Sequence, residues 1–533
     1  MDFRDLSAHE VPHTPKLIRD YLENFSRLQT FYDHTPEFKS VTKYASRLKF
    51  PADRRRQVAD VLRAQNVLYG SGAETEKNID CLAEGAVAAV TGQQVGLFGG
   101  PAYAVYKALT AIQAAEVLSR GGVPTVPVFW LATEDHDVDE VRQVTCFQEG
   151  ELLRFQLPRP GQEAVPVGRI RLGPEIDELV RRALPLLGES VGNMIQETYT
   201  PAATYGSAFA GLFARIFADF GLILLDPLDS RLHQIAAPVL REALARRDQL
   251  NDQLLGRGKE LEKAGYEAQV KVTHRSTLLF WLGTGKREVM GAANGNFASG
   301  NLSLPREEWI KRVEAEPENF SPNAILRPVV QDFLLPTVAY FGGPSEIAYF
   351  AQSQVLYQRL LGRMPVLLPR ADFTLVDPKA ERLLRKYHLV VEDVWQGSQS
   401  LRKSMYNSVV PKKLAREFDD DLRHVAKSLK KLHKAIAKVD PTIQGSIARA
   451  EKRIRYQIEK LRHKTGAALD RREKLIAKHE RFLENLLYPQ KGLQSRDLCF
   501  LPFLTRWGSG GWQELQRQAD PRKLGRHIIA SIP

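Results

Sequence analysis

Residues 85–132 read GAVAAVTGQQVGLFGGPAYAVYKALTAIQAAEVLSRGGVPTVPVFWLA. The opening GAVAAVT (85–91) is a short apolar run that predicts a buried strand. A glycine-rich turn follows, and AYAVYKALTAIQAAEVL (102–118) then carries apolar residues at helical spacing. Gly121 and Gly122 stop that helix, and VPTVPVFWLA (123–132) resumes as a strand. Strand, helix, strand is a βαβ unit, which implies a parallel sheet with a right-handed crossover.

The same alternation returns downstream. YGSAFAGLFARIFADFG (205–221) predicts a helix before the strand LILLD (222–226), and EIAYFAQSQVLYQRL (346–360) another before PVLLP (365–369). The fold class is therefore α/β, a doubly wound parallel-sheet core. Two stretches break the alternation and read as insertions. Residues 146–200 are rich in proline and charge, as expected of an accessory lobe. Residues 266–320 include STLLFWLGTGKREVM and the Gly/Asn-rich GAANGNFASGN, which predict hairpins across 266–305.

Beyond the core, expected to span 1–380, residues 381–490 predict a helical coiled coil. Leu422, Val425, Leu429, Leu432, Ile436 and Val439 alternate in steps of three and four, a heptad seam. VDPTIQGS (439–446) breaks the helix, because Pro441 and Gly445 oppose continuation. A second stretch toward Leu487 offers Ile447, Ile454, Ile458, Leu461, Leu475 and Phe482 as seam positions. Helical throughout, such an arm would extend ~60 Å at ~1.5 Å per residue. It buries little against itself, so self-association is the preferred expectation and a lid folded on the core the alternative. Residues 491–533 are expected to pack back on the core.

At 533 residues and 43% hydrophobic, the chain can bury a large core, and two or three domains are expected. Its N-terminus lacks the apolar core of a signal peptide, and no window supplies the ~20 apolar residues of a membrane span. Cys81, Cys146 and Cys499 show no CxxC spacing, which argues against a disulfide framework or a Cys-rich zinc site and for a reduced cytoplasmic compartment. Net charge is +12, but residues 411–490 alone hold 21 Lys/Arg against 11 Asp/Glu. The excess sits on the predicted arm. Basic faces can bind phosphate backbones, yet a solvated helical face is the commoner outcome, and nucleic acid is not the expected partner.

Two loops carry chemistry. TGQQVGLFGGP (91–101) follows the first strand, and its glycines match neither G-x-G-x-x-G nor a Walker loop. Thr91, Gly92, Gln93, Gln94, Gly99 and Gly100 could still let an anion approach the backbone and the next helix terminus, with Tyr103 and Lys107 nearby. The alternative is a turn that only packs. TEDHDVDE (133–140) follows the second strand. His136 between Asp135 and Asp137 could be a general base, its basicity expected to be raised by those neighbours. With Glu134 or Glu140 it could bind a divalent ion, most simply Mg²⁺; zinc lacks H-E-x-x-H spacing; a hydrated loop is the third reading. Ligands gather at the carboxyl ends of strands in open α/β sheets, and both loops occupy such ends. A second Phe-Gly-Gly-Pro at 341–344 echoes 98–101, and Gly342, Gly343 and Glu346 there also precede a helix.

TGQQVGLFGGPAYAVYKALTAI (91–112), VPVFWLATEDHDVDEV (126–141), GYEAQV (265–270), LRPVVQDFLLPTVAYFGGPSEIAYFAQ (326–352) and LQSRDLCFLPFL (493–504) together resemble the bacillithiol biosynthesis cysteine-adding enzyme family, BshC. The resemblance spans essentially the full chain in order. It implies a Rossmann-type core with connecting-peptide insertions, a coiled-coil dimerisation domain, and a ligase that joins the carboxyl of L-cysteine to the amine of glucosaminyl-malate. Class I aminoacyl-tRNA synthetases and the mycothiol cysteine ligase, which the family resembles, adenylate cysteine with ATP. No His-x-Gly-His signature occurs, and Arg402-Lys403-Ser404 matches a Lys-Met-Ser-Lys-Ser loop poorly. ATP use is thus expected by analogy, with Mg²⁺ as its companion. On this reading Glu134, Asp135 and His136 are the catalytic candidates. Thr91, Gly92, Gln93, Gln94, Gly99, Gly100, Tyr103, Lys107, Asp137, Glu140, Gly342, Gly343 and Glu346 are the candidates for binding substrate or nucleotide. The competing expectations are a basic coiled-coil protein that binds nucleic acid or scaffolds partners, and another ATP-dependent amide ligase on the same fold.

Overall fold

Alternate residues of one strand face opposite sides of the central sheet, and both sides are covered. In the computed structural model, Val126, Val128 and Trp130 enter one apolar cluster, while Phe129 and Leu131 enter another. That period of two with both faces buried is the signature of a sheet flanked by helices. The structure describes residues 2–161, 164–293, 295–409, 412–436, 438, 444–470, 474–523 and 525–532.

The sheet has five parallel strands: β1 (Val87–Gln93), β2 (Thr125–Leu131), β3 (Ile223–Leu225), β4 (Thr337–Gly342) and β5 (Val366–Pro369), in the order β5-β4-β1-β2-β3. Helix α1 (Tyr103–Arg120) makes the crossover from β1 to β2, and α2 (Pro344–Leu360) the one from β4 to β5. After β1 the chain moves outward through β2 and β3, then returns to the other side of β1 as β4. The strand order therefore reverses between β1 and β4. At such a switch point the loops diverge and leave a crevice at the carboxyl edge. This is a Rossmann-like domain with inserted lobes.

The first lobe holds an antiparallel hairpin (Gln143–Gln148 with Glu151–Gln156) and helices Glu175–Ala183 and Glu189–Thr198. The second is an antiparallel sheet of Ser276–Trp281, Glu288–Ala293, Asn296–Ser299, Leu302–Pro305 and Phe320–Pro322. A further sheet pairs Phe3–Leu6 with His527–Ser531, and the latter with Asp372–Val376, so both ends of the chain meet beside the core.

The arm consists of two helices, Lys412–Ile436 and Gln444–Asp470, running antiparallel; Asp419 and Arg462 pair across them at 3.0 Å. Leu422, Val425, Leu429 and Ile436 of the seam are half-buried, whereas Leu432 and Leu461 stay 52% and 57% exposed. Val439 and Pro441 lie outside the described residues, and Gly445 falls inside the second helix instead of breaking it. The arm is also shorter than its apolar spacing implies. Helix Leu475–Leu487 belongs to the core, with Phe482 against Phe147 (ring centres 5.3 Å apart) and Asn485 donating to the Gly150 carbonyl at 2.7 Å. Apolar residues at helical spacing serve a core as well as a seam. Among the described residues no helix is long and apolar enough to cross a membrane.

Candidate functional site

The crevice at the switch point opens into a cavity of about 850 Å³, lined from β1, β2, β4, α1, α2 and the antiparallel lobe. Opposite charges occupy its walls. That division follows from which strand end supplies each wall.

The floor is built by the first turns of α1 and α2. Lys107, 2% exposed, reaches from α1 to the Glu346 carboxylate on α2. Its ammonium also donates to the Gly92 carbonyl and to Gln93 Oε1, each at 2.8 Å. Three acceptors take all three protons of the ammonium. Glu346 in turn accepts from Tyr340 at 2.5 Å and from the Gly343 N–H at 2.8 Å, where it caps α2. Burial pushes the Lys107 ammonium down and its pairing with Glu346 opposes that shift. Gln93 completes the floor by donating to Gln94 Oε1 at 2.8 Å and to the Tyr103 hydroxyl at 3.1 Å.

The acidic wall comes from the loop after β2. Gln94 donates to Asp135 at 3.0 Å and to Glu140 at 2.5 Å, joining the two loops read from the sequence. Arg287, from the antiparallel lobe, donates to Ser321 Oγ at 3.0 Å and to the Pro322 carbonyl at 2.9 Å; its guanidinium lies 3.8 Å from Asp135 and over the Phe280 ring. Glu134 lines the cavity yet is only 6% exposed. Burial pushes its carboxyl up to about 8, with Arg287 pulling the other way. A group that titrates there can hold or release a proton near neutrality.

The basic wall gathers residues distant in sequence. Arg327 donates to the Tyr349 hydroxyl at 2.8 Å and to Gln331 at 3.1 Å. Arg370 pairs with Asp372 at 2.7 Å beside the Tyr103 ring. Arg496 completes the lining, and among the described residues its guanidinium has no hydrogen bond or ion pair. A cation without a partner on a cavity wall suits a carboxylate or a phosphate.

Of the sequence candidates, Gly92, Gln93, Gln94, Tyr103, Lys107, Glu134, Asp135, Glu140, Gly343 and Glu346 line this cavity. Thr91 lies beneath it, bonding the Phe341 carbonyl at 2.8 Å across β1 and β4. Asp137 points into its own loop, where it caps the turn Val138–Val141. His136 sits on the rim, half-exposed, with Nδ1 accepting from Arg287 at 3.1 Å; burial and Arg287 both lower its basicity. Gly99 and Gly100 adopt φ of 82° and 69° in a turn packed against Leu212 and Phe213 and the Pro101–Cys499 bridge, away from the cavity. The two Phe-Gly-Gly-Pro segments are therefore not equivalent. Gly342 ends β4 and Gly343, at φ −77°, directly caps α2. Arg287, Arg327, Arg370 and Arg496 are far apart in sequence, and isolated arginines carry no local pattern that marks a site. Among the described residues no group of three or more His, Cys, Asp or Glu side chains is placed to hold a metal ion.

Comparison with known proteins covers the same ground. The model for the bacillithiol biosynthesis BshC N-terminal Rossmann-like domain matches residues 1–371, and that for the BshC C-terminal coiled-coil domain matches residues 373–531. Relatives named "Putative cysteine ligase BshC" include one from Koribacter versatilis, 42% identical over 94% of both chains. Another, from Solibacter usitatus, is 39% identical over 94% of both, and one from Salinibacter ruber is 32% identical over 99% of both.

Proposed function

This chain belongs to the bacillithiol biosynthesis BshC family, and on that premise we propose that it is a cysteine ligase that forms an amide between the carboxyl of L-cysteine and the amine of glucosaminyl-malate. The observation that carries this reading is the division of charge in the switch-point cavity. Glu134, Asp135 and Glu140 form the side suited to an ammonium group, and Arg327, Arg370 and Arg496 the side suited to carboxylate or phosphate. Amide formation brings those two kinds of group together.

A carboxylate does not react with an amine until one of its oxygens becomes a leaving group. ATP is the proposed source of that activation, its phosphates held on the arginine side, where Arg496 has a guanidinium to offer. Mg²⁺ bound in this way would rest mainly on phosphate oxygens and one or two carboxylates, its usual mode. Lys107 is excluded from phosphate binding by its three acceptors. It instead fixes the floor against which the substrates are set. Aligning amine and acyl carbon in one cavity lowers the barrier through orientation.

The test is one reaction containing L-cysteine, ATP and glucosaminyl-malate, read by mass for the thiol product and the nucleotide released. Product that depends on all three supports the reading. Product from other amines at equal rate, with none from glucosaminyl-malate, points to a different amide ligase.

A further inference from the structure

Turning an ammonium into an amide nitrogen removes two protons: one before the lone pair can attack, and one after the C–N bond forms. A single carboxylate accepts only one. On the ligase reading a second acceptor beside that carboxylate would serve the reaction, and the structure places a histidine there. His233 lies on helix Ser230–Ala245, which follows β3, next to the β2 end that carries Glu134. It is 5% exposed. Its Nδ1 lies 3.2 Å from the Pro317 carbonyl, which can only accept, so Nδ1 carries the proton and Nε2 the lone pair. Among the described residues the buried Nε2 makes no hydrogen bond, and it lies 3.6 Å from Glu134 Oε1. A buried orphan nitrogen costs stability, and this one lies beside a carboxyl that lines the cavity.

We propose that Glu134 is the catalytic base for the amine substrate and that His233 behind it is a positioning residue that receives the first proton, freeing Glu134 to take the second. In the first step the ammonium gives a proton to the Glu134 carboxylate and becomes an amine. The Glu134 O–H then passes its proton to His233 Nε2, after a closure of about 0.8 Å to hydrogen-bonding distance. The amine lone pair attacks the cysteine acyl carbon, already activated by the nucleoside triphosphate, and the phosphate-bearing leaving group departs with the bonding pair. Glu134 takes the second proton from nitrogen, leaving a neutral amide. Product release returns both protons to solvent.

Burial disfavours both ionised forms, raising the Glu134 carboxyl and lowering the His233 imidazole, so the transfer relies on the charges around the pair. Around Glu134, Arg287, Arg327 and Arg169 favour the carboxylate, while burial and Asp226 favour the acid. Asp226 itself is held by Thr133 and by the Leu228 N–H. Around His233, burial and Arg169 oppose the imidazolium, and the carbonyls of Pro317, Phe320 and Pro227 favour it.

The experiment compares wild type, Glu134→Gln and His233→Asn between pH 6 and 9, with ATP, cysteine and either glucosaminyl-malate or hydroxylamine as acceptor. Hydroxylamine is a weak base and needs little deprotonation. With glucosaminyl-malate near pH 8, where the Glu134 carboxylate forms, E134Q should lose at least ~100-fold in kcat and H233N ~10-fold, both deficits shrinking toward pH 6, where wild-type Glu134 already holds a proton. Trapping of cysteine as its hydroxamate should fall far less in both. Wild type that makes no amide overturns the ligase reading and this proposal with it. Active wild type with both variants within threefold overturns the proposal alone, as does equal loss of amide and hydroxamate at every pH, which marks a structural role.

Discussion

The Lys107 ammonium on α1 and the Glu346 carboxylate on α2 form an ion pair across the switch point, binding together the two helices that follow β1 and β4. The pair bridges the place where the sheet's strand order reverses, so the cavity floor depends on it. Removing one partner leaves the other charge buried and costs about 3–5 kcal/mol, whereas removing both costs less. Lys107→Met and Glu346→Gln should each lower the urea midpoint sharply. The double variant should be more stable than the sum of the two losses implies. A double-mutant cycle measures that coupling directly.

Gly92 sits opposite Trp130 in the β1–β2 register. A Cβ at residue 92 would lie 2.7 Å from the Trp130 carbonyl and 2.9 Å from its Cβ, both on a strand that cannot swing aside. Gly92→Ala should therefore destabilise by about 1–3 kcal/mol through overpacking, seen as a lowered Tm. Because the Gly92 carbonyl also accepts from Lys107, the same change should raise KM for the ligase substrates.

Arg287 is the clamp between the antiparallel lobe and the acidic loop, bonding Ser321, Pro322 and His136 while facing Asp135. Its planar fork serves several acceptors at once, which an ammonium cannot copy. Arg287→Lys should loosen residues 134–140 with little change in global stability. Hydrogen exchange resolved by peptide should show faster exchange in that loop and unchanged exchange in β1 and α1.

The βαβ unit was legible because its periodicity and glycine stops are local, and the strand expected over 123–132 forms at Thr125–Leu131. Hairpins were legible only across 266–305, from Gly- and Asn-rich turns; the hairpin of Gln143–Gln148 and Glu151–Gln156 carried no such signal and was covered only by a stretch rich in proline and charge. The side of β1 on which β4 lies is set by a pairing some 250 residues apart, of which no local pattern gives notice. The arginine wall depends on that same pairing, so Arg327, Arg370 and Arg496 could be seen only in three dimensions. Lys107 shows the converse: its residue type suggested an anion ligand, but burial beside Glu346 commits its charge to the fold. The seam residues Leu475 and Phe482 matched a coiled coil only because a core-facing helix has nearly the same spacing.

Leu432 and Leu461 remain exposed on the arm, at 52% and 57%. Two antiparallel helices cannot cover a seam that faces outward, so we expect a second copy of the chain to cover it. Leu432→Glu with Leu461→Glu should convert a dimer to a monomer by light scattering and leave the circular dichroism of the core unchanged. A monomeric wild type would instead assign the arm to another role.

Glu134 links the site to stability through pH. Its folded-state pKa is raised from 4.5 to about 8 by burial, so between those values the native state keeps a proton that the unfolded chain has lost. Stability from this residue is therefore fully present below about pH 4.5 and declines as pH rises toward 8, with a limiting slope of ~1.4 kcal/mol per pH unit. Glu134→Gln cannot ionise and lacks that decline. Relative to wild type, the variant should gain stability steadily between pH 5 and pH 8, reaching a few kcal/mol, as read from urea midpoints at matched salt. A constant difference across that range would mean that the carboxyl is already ionised at pH 5. It would then lack the proton affinity that a base near neutrality requires.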